Sequence, residues 1–171
     1  KPGGAALGGL NGDQHVIDEM NLVEIPFCVL SKDNHGLATL PLSPNGEEYL
    51  QASSKKHGLP TALARRTVLG LMWKTMDVNS FKGGVLRFSL RDLVENYMFP
   101  GKFQKYRAGG KLLAAAEKEL NRVADTRIHS DRWYDKALGK KTQINAAIID
   151  YVQVIEGGGK NSPRVLEILW G

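Results

Sequence analysis

The sequence contains a single cysteine, Cys28, and no apolar run near the roughly 18 residues that a membrane-spanning helix needs. One cysteine cannot form an internal disulfide, and Cys28 has no metal-ligand companions at suitable spacing. Its place inside the apolar run IPFCVL predicts a small core residue. No signal-peptide pattern opens the chain. These absences predict a soluble intracellular protein with no membrane partner.

The residue patterns of common catalytic sites are also missing. The four histidines are scattered, with no pair at i, i+2 or i, i+4: His15, His35, His57 and His129. No G-x-x-x-x-G-K-[ST] sequence is present, so no ATPase is indicated. Four tyrosines are predicted to be packing groups with a hydroxyl at the edge: Tyr97, Tyr106, Tyr134 and Tyr151. We therefore expect a non-enzyme with no catalytic residues, no cofactor and no metal.

What the chain does have is enough apolar sequence for one core and a clustered positive charge. It has 171 residues, of which 42% are apolar, and a net charge of +5. Residues 87–141 hold 13 basic against 7 acidic residues, whereas residues 1–86 are balanced at 8 against 8. Such clustering is typical of a polyanion binder, although a charge run is more often only a solvated face. The first residue is Lys rather than Met, which predicts an excised piece.

The first half of the chain predicts a leader, an apolar element, a hairpin and a helix. Residues 1–19 are Gly-rich at first and are predicted to be a flexible leader. MNLVEIPFCVLS fits a buried strand or a short helix, and ATLPLSPNGEEYLQAS predicts two strands around Asn45-Gly46. GLPTALARRTVLGLMWKTM predicts a helix with Thr61 as N-cap. Its predicted apolar face comprises Ala62, Leu69, Met72, Trp73 and Met76. VLRF follows as a short strand.

A helix-turn-helix is predicted at about residues 89–124. In FSLRDLVENY, Ser89 and Asp92 have the spacing of a capping box, and the apolar residues recur at helical spacing. Pro100 and Gly101 then break the helix. The second helix is predicted from about Lys111 to Ala124.

The second helix has a basic side and an apolar side. At about 100° per residue, Lys111, Lys118 and Arg122 fall within about 20° of one line. The opposite arc carries Leu113, Ala116, Leu120 and Val123. A recognition helix needs this distribution, because one side packs on the core while the other offers cations to phosphates and base edges. A solvated surface helix has the same pattern.

The sequence after this helix predicts a β-hairpin with a basic tip. TRIHSDRWY and TQINAAIIDYVQVI read as strands, and DKALGKK between them is a turn containing Gly139. Directly after a helix-turn-helix, a hairpin at about 126–155 predicts a wing. Trp133 and Trp170 are expected to fill a core edge rather than stack on an unpaired base, and Asp135 to fix the hairpin locally.

These elements together predict an α+β fold, a winged helix-turn-helix with an N-terminal strand or hairpin extension, over residues 20–171. The candidate DNA contacts are the basic side chains of the charged block: Lys102, Lys105, Arg107, Lys111, Lys118, Arg122, Arg127, Arg132, Lys136, Lys140 and Lys141.

The ordered segments also resemble a known family. NLVEIPFCVLS, GLPTAL, LRFSLRDL, LLAAAEKELNRVADTRI and WYD are similar to the replication initiator protein A family of bacterial plasmids, over about residues 20–155. The family's recognition helix falls on Lys111 to Ala124, and its aromatic-acid element on Trp133, Tyr134 and Asp135. Related initiators carry two winged-helix units in tandem. This chain ends at RVLEILWG after one, so it resembles a fragment with a single unit.

The resemblance implies a function and a location. It implies a winged-helix domain that binds repeated sequences in double-stranded origin DNA, recruits host replication proteins and represses its own gene, in the bacterial cytoplasm at the nucleoid or plasmid. It further implies that a first unit serves as a homodimer contact as well as a DNA contact. Two alternatives remain open: a winged-helix transcriptional repressor at an operator, and a dimerisation module with only nonspecific DNA affinity.

Overall fold

The structure of the chain is a computed structural model. It describes residues 37–41, 49–54, 56–135, 138–157, 159 and 163–171. For strand residues 38, 40, 41, 49, 50, 131–135, 141 and 144 it describes the backbone alone. The predicted leader, Cys28 and the Asn45-Gly46 turn lie outside these residues, as do His15, His35 and Lys136.

Seven strands and three helical segments follow one another in the described chain. They are β1 (Leu37–Pro41), β2 (Tyr49–Ser54), α1 (Ala62–Asn79), β3 (Val85–Ser89), α2 (an α-helical turn, Leu90–Asp92, that continues as a π-helix, Leu93–Met98), α3 (Gly110–Asp125), β4 (Thr126–Asp135), β5 (Lys140–Ala146), β6 (Ile149–Gly157) and β7 (Arg164–Trp170). The predicted α+β class is confirmed. None of the described helices has the length and apolar character needed to cross a membrane.

The core lies between a three-stranded sheet and the helices. The sheet has the order β3-β7-β6, and both pairs are antiparallel. One face is buried and consists of alternate strand residues: Leu86, Phe88, Ile149, Leu166 and Ile168. Period-2 alternation places their neighbours on the opposite, exposed face. The strand β7 was not predicted, although RVLEILW is mostly apolar and forms the centre of this sheet.

Helix α3 packs its predicted apolar side on this core. Ala116, Leu120 and Val123 are fully buried, and Leu113 is half-buried. The helix spans Gly110–Asp125, so its predicted extent and its apolar side are confirmed. Because the spacing of these residues matches 3.6 residues per turn, one stripe suffices to hold the helix on the sheet.

The predicted buried face of α1 is wrong in part. Leu69, Met72 and Trp73 are half-buried, and Met72 packs against the core, but Ala62 and Met76 are exposed. The buried residues of the helix are Ala64, Thr67, Val68, Gly70, Leu71, Lys74 and Thr75. Apolar residues occur all around this helix, so their spacing does not select a face. Two threonines can lie inside because each hydroxyl donates to a carbonyl of its own helix, Thr67 to Leu63 O and Thr75 to Leu71 O.

Two cap predictions have different outcomes. Thr61 occupies the N-cap of α1, as predicted, although its side chain makes no capping bond. Ser89 precedes α2 but makes no side-chain bond to it either, so the capping box is wrong. The Asp92 carboxylate instead accepts hydrogen bonds from Lys74 and Asn96. An isolated helix would leave Asp92 free for capping, whereas here α1 carries the Lys74 ammonium group to it.

The second sheet has the order β1-β2-β4-β5, with every pair antiparallel. The two strands predicted around Asn45-Gly46 are confirmed as β1 and β2. The β4–β5 hairpin is also confirmed, and Gly139 in its turn has φ +63°. The long second strand predicted over residues 142–155 is wrong, because the chain leaves the second sheet after Ala146 and enters the first at Ile149. The hairpin therefore ends at Ala146 rather than at residue 155.

Candidate nucleic-acid interface

Helix α3 presents two lysines on its exposed side. Lys111 and Lys118 are exposed, and neither has an ion pair or hydrogen bond within the part of the chain that the structure describes. They are seven positions apart in the sequence, so they lie about 10 Å apart along the helix axis. Ala114 lies exposed between them. The result is a strip of helix surface with two ammonium groups and a small side chain.

Arg122, the third predicted member of this strip, is held inside the fold. Its side chain is 15% exposed, and its guanidinium pairs with the buried Glu119. Its Nε donates to the backbone oxygen of His57 at 3.1 Å. Glu119 also accepts the N–H of Thr61 at 2.8 Å. Arg122 therefore joins α3 to the segment that leads into α1, and its donors are directed inward.

Asp125 makes a second connection at the same end of α3. Its carboxylate accepts the Ser54 hydroxyl at 2.6 Å and the N–H groups of Lys56 and His57 at 2.7 and 3.0 Å. Burial opposes ionisation of this group, but these donors outweigh burial and hold the pKa of Asp125 below its usual value. The carboxylate thereby fixes the end of β2 beside the helix.

The connection between α2 and α3, residues 99–109, is strongly cationic. It contains three basic residues, Lys102, Lys105 and Arg107, and no acidic residue. All three are exposed. Lys102 Nζ lies 5.0 Å from the ring centroid of Phe99, at cation–π distance. This connection brings three of the predicted DNA contacts to the start of α3.

Buried Glu95 in α2 anchors the end of this connection. Its Oε1 accepts the N–H of Ala108 at 2.8 Å and Arg91 at 3.2 Å, while its Oε2 accepts Arg107 at 3.0 Å. Burial opposes its ionisation, but the Ala108 N–H and the two guanidinium groups outweigh burial and lower the pKa of Glu95. Arg91 also donates to the carbonyl of Ala108. The side chain of Arg107 remains 79% exposed, and its guanidinium keeps further donors for a ligand.

A groove separates the start of α3 from the β6–β7 hairpin. Its volume is about 560 Å³, and its lining includes Ser89, Arg91, Gly110, Glu117 and Arg164. The Arg164 guanidinium pairs with Glu117 and donates to the carbonyl of Gly157. The hydrogen bond to Glu117 raises the pKa of Arg164, so it is charged throughout the physiological range. This arginine ties the hairpin to the helix.

The remaining predicted contacts belong to the second sheet. Arg127 on β4 and Lys140 on β5 are exposed. The structure describes Arg132 and Lys141 by their backbone only, and Lys136 lies outside the described residues, so their roles stay predictions, as do those of Trp133 and Asp135.

Among the described residues, no group of three or more His, Cys, Asp or Glu side chains could hold a metal ion. Trp170 fills a core edge, as predicted, with its indole N–H on Thr75 Oγ1 at 3.1 Å.

Two crystal structures of domains 2 and 3 of RctB are similar to this chain. One superposes with a TM-score of 0.61 at 11% sequence identity, covering 88% of this chain and 56% of the RctB chain. The chain has an RctB-like fold. A selenomethionine derivative of the same RctB domains gives a TM-score of 0.57 at 10% identity, with 84% of this chain and 53% of that chain covered. The chain therefore spans about half the length of the RctB chains it matches.

The likeness to RctB is one of fold alone at these identities. No protein-family model matches the sequence, and no curated protein matches it. The plasmid initiator family that the sequence resembles is thus not shown by these comparisons.

Proposed function

We propose that α1, α2, α3 and the β3-β7-β6 sheet form a winged helix that binds duplex DNA in a replication initiator. Among these elements the order along the chain is helix, strand, helix, helix, strand, strand, with β4 and β5 of the second sheet inserted between α3 and β6. In the three-stranded sheet the last strand, β7, lies between the other two. A winged helix has this order and this sheet. In it, α3 is the recognition helix and the β6–β7 hairpin is the wing. The β4–β5 hairpin, which the sequence suggested as the wing, pairs with a different sheet.

The exposed strip of α3 is the observation that carries the proposal. Its buried side holds the helix on the core, so Lys111 and Lys118 project from a fixed surface. The major groove of B-DNA is about 12 Å wide and admits one helix. The cationic connection precedes the strip, and its three basic side chains are exposed. Exposed cations on and beside a helix are suited to phosphate contacts.

The similarity to RctB supports the biological setting. RctB is a replication initiator. We propose that this chain likewise acts in replication initiation in the bacterial cytoplasm, by binding repeated sequences at a plasmid origin. Its further proposed partners are a second copy of the chain and host replication proteins. The proposed role is binding, with no catalysis and no cofactor.

The first test is fluorescence anisotropy with two duplexes, one carrying the origin repeats and one shuffled, each titrated across salt concentration. We expect tighter binding to the repeats than to the shuffled duplex, and we expect this preference to persist at physiological salt. Phosphate contacts weaken as salt rises, whereas base contacts distinguish the two sequences. Equal affinity for both duplexes at every salt concentration would contradict repeat recognition.

A matched pair of variants tests the position of the DNA surface. Lys118→Ala removes one cation of the strip, and we expect the slope of log K against log salt to become shallower by about 0.9. Lys82→Ala is the control. Lys82 is exposed and precedes β3 at Val85, whereas the groove beside α3 borders the other end of β3 at Ser89, about 13 Å away along the strand. A larger effect of Lys82→Ala than of Lys118→Ala would place DNA elsewhere.

A further inference from the structure

Three aromatic rings form a ladder on the connection between α2 and α3. Phe99 and Phe103 meet edge to face with centroids 6.3 Å apart, and Phe103 and Tyr106 meet edge to face at 5.5 Å. We call these three residues the aromatic ladder. Phe99 packs against the core, and so does Phe103. The ladder therefore runs from the core to the surface and ends at Tyr106.

The outermost ring is open to solvent. Tyr106 is 60% exposed, more than any other described tyrosine or phenylalanine among the exposed large hydrophobic side chains. An edge-to-face contact with Phe103 covers one face of the Tyr106 ring at most. At least one face is consequently available to a planar ligand. A tyrosine that served only to pack would be expected to bury both faces.

Cations surround the ladder. Lys102 Nζ lies 5.0 Å from the Phe99 centroid and 5.8 Å from the Phe103 centroid. The guanidinium carbon of Arg66 lies 4.7 Å from the Phe99 centroid. Lys105 and Arg107 flank Tyr106 in sequence and are exposed. A planar group that stacks on Tyr106 would thus sit among positive charges, which favours a ligand that carries both an aromatic ring and anionic groups.

The ladder is held in place before any ligand arrives. The N–H of Phe99 donates to Val94 O at 3.1 Å, and that of Lys102 donates to Phe99 O at 3.1 Å. At the other end Glu95 binds Ala108 and Arg107. Because both ends are fixed, little conformational entropy is lost when a ligand binds to this connection.

We propose that the aromatic ladder binds single-stranded DNA, with an unpaired base stacked on Tyr106 and with Lys102, Lys105 and Arg107 contacting its phosphates. Bases in a duplex are stacked on one another and offer no free face to a side chain. A strand with exposed bases offers both a ring face and a phosphate chain, and aromatic rings in a cationic surface are the usual means of binding it. This site goes beyond the proposed duplex binding by α3 and does not depend on it.

Fluorescence anisotropy with a labelled oligothymidylate of about 12 nucleotides tests the proposal, since sites of this kind span about 4–16 nucleotides. We expect Tyr106→Ala to weaken binding by about 5- to 150-fold. Tyr106→Phe should bind like the parent, because the ring is kept and only the hydroxyl is lost. Binding of the parent and Tyr106→Ala with equal affinity would overturn the proposal.

Tyr151→Ala is the matched control. Tyr151 is 36% exposed and lies on the exposed face of the β3-β7-β6 sheet, where its hydroxyl donates to Glu167 at 3.0 Å. The helices pack on the other face, so this substitution should leave oligothymidylate binding unchanged. A loss equal to that of Tyr106→Ala would mean that the effect is not local to the ladder, and the proposal would be wrong.

A photochemical measurement identifies the stacked residue directly. An oligothymidylate carrying one 5-iododeoxyuridine forms a crosslink with an aromatic side chain stacked on it, and mass spectrometry locates the modified residue. We expect Tyr106. A crosslink found only at other residues would overturn the assignment. A ribonucleotide oligomer of the same length and base is a parallel arm, and tenfold tighter binding of RNA than of DNA would overturn the choice of single-stranded DNA.

The two proposals fail separately. If the parent binds oligothymidylate but neither duplex, the proposed function of α3 is wrong and the ladder site stands. If it binds the duplex with origin repeats but not oligothymidylate, the ladder site is wrong and the function of α3 stands. Tyr106→Ala should change duplex affinity less than twofold, because a duplex offers its ring nothing to stack on. An equal loss on both DNAs would contradict a separate single-strand site.

Discussion

Replacing Glu95 should destabilise the fold far more than removing its exposed partner. Glu95 is 8% exposed, and Oε1 accepts the N–H of Ala108, itself 3% exposed. Glu95→Ala leaves that N–H buried without an acceptor, which costs about 1–3 kcal/mol. It also removes the carboxylate shared by Arg91 and Arg107 and leaves a small cavity. We expect a total loss of about 3 kcal/mol in the free energy of unfolding.

Two variants at the same site separate the causes. Glu95→Gln keeps an acceptor for Ala108 and loses only the charge, so we expect about 1 kcal/mol. Arg107→Ala removes a side chain that is 79% exposed, and exposed ion pairs contribute about 0–1 kcal/mol. The order of destabilisation should therefore be Glu95→Ala, then Glu95→Gln, then Arg107→Ala.

Urea unfolding followed by far-ultraviolet circular dichroism measures this order. In thermal unfolding, about 3 kcal/mol corresponds to a decrease in Tm of roughly 6–12 °C for a domain of this size. Equal destabilisation by Glu95→Ala and Arg107→Ala would refute the reasoning, because it would mean that the buried N–H of Ala108 finds another acceptor at no cost.

Three further predictions concern stability. Below pH about 4.5, the ordinary pKa of a glutamate, the parent should lose stability more steeply than Glu95→Gln. The lowered pKa of Glu95 adds stability to the fold, and this stability disappears as the pH falls through that pKa. If the urea midpoints of the parent and of Glu95→Gln fell by the same amount between pH 7 and pH 3, the prediction would be contradicted. Arg122→Ala should lower the free energy of unfolding by about 1–3 kcal/mol and Lys118→Ala by less than about 0.5 kcal/mol, since only Arg122 is bonded within the fold; equal urea midpoints would count against this. Gly139→Ala should cost about 1 kcal/mol because Gly139 has φ +63°, and an unchanged Tm would show that the turn tolerates a side chain.

Sequence patterns predicted those elements whose signal is local. The start and end of α3, its apolar stripe and the β1–β2 and β4–β5 hairpins follow from helical spacing, alternation and turn residues. The strand β7 was not predicted, because RVLEILW is mostly apolar and has no regular alternation. Its position between β3 and β6 involves pairing with β3, about 80 residues away, which no local pattern reports.

Some residues of the candidate interface were also predicted from local sequence patterns, and others were not. Clustered charge identified Lys111 and Lys118, which the fold leaves exposed. Charge also suggested Arg122, but the fold bonds its guanidinium to the carbonyl of His57 and the carboxylate of Glu119. Helical geometry alone cannot show that these two groups lie beside it. The aromatic ladder was not predicted, because Pro100 and Gly101 indicate a break between helices, although its rings have the i, i+4, i+7 spacing of a helix face. A stretch with three aromatic residues, three cations and no acidic residue was the available signal.

The order of charged and apolar residues along the chain is enough to predict which segments are amphipathic. The buried face of α1, the sheet that each hairpin joins and the cations that stay unpaired among the described residues depend on how those segments pack together. Residues 142–155 illustrate the difference, because their apolar pattern continues across Ala147 and Ile148 while the chain changes sheets there. A local pattern predicts which residues are apolar enough to be buried. Their partner strands and opposing charges come from distant parts of the chain and meet only when the chain packs.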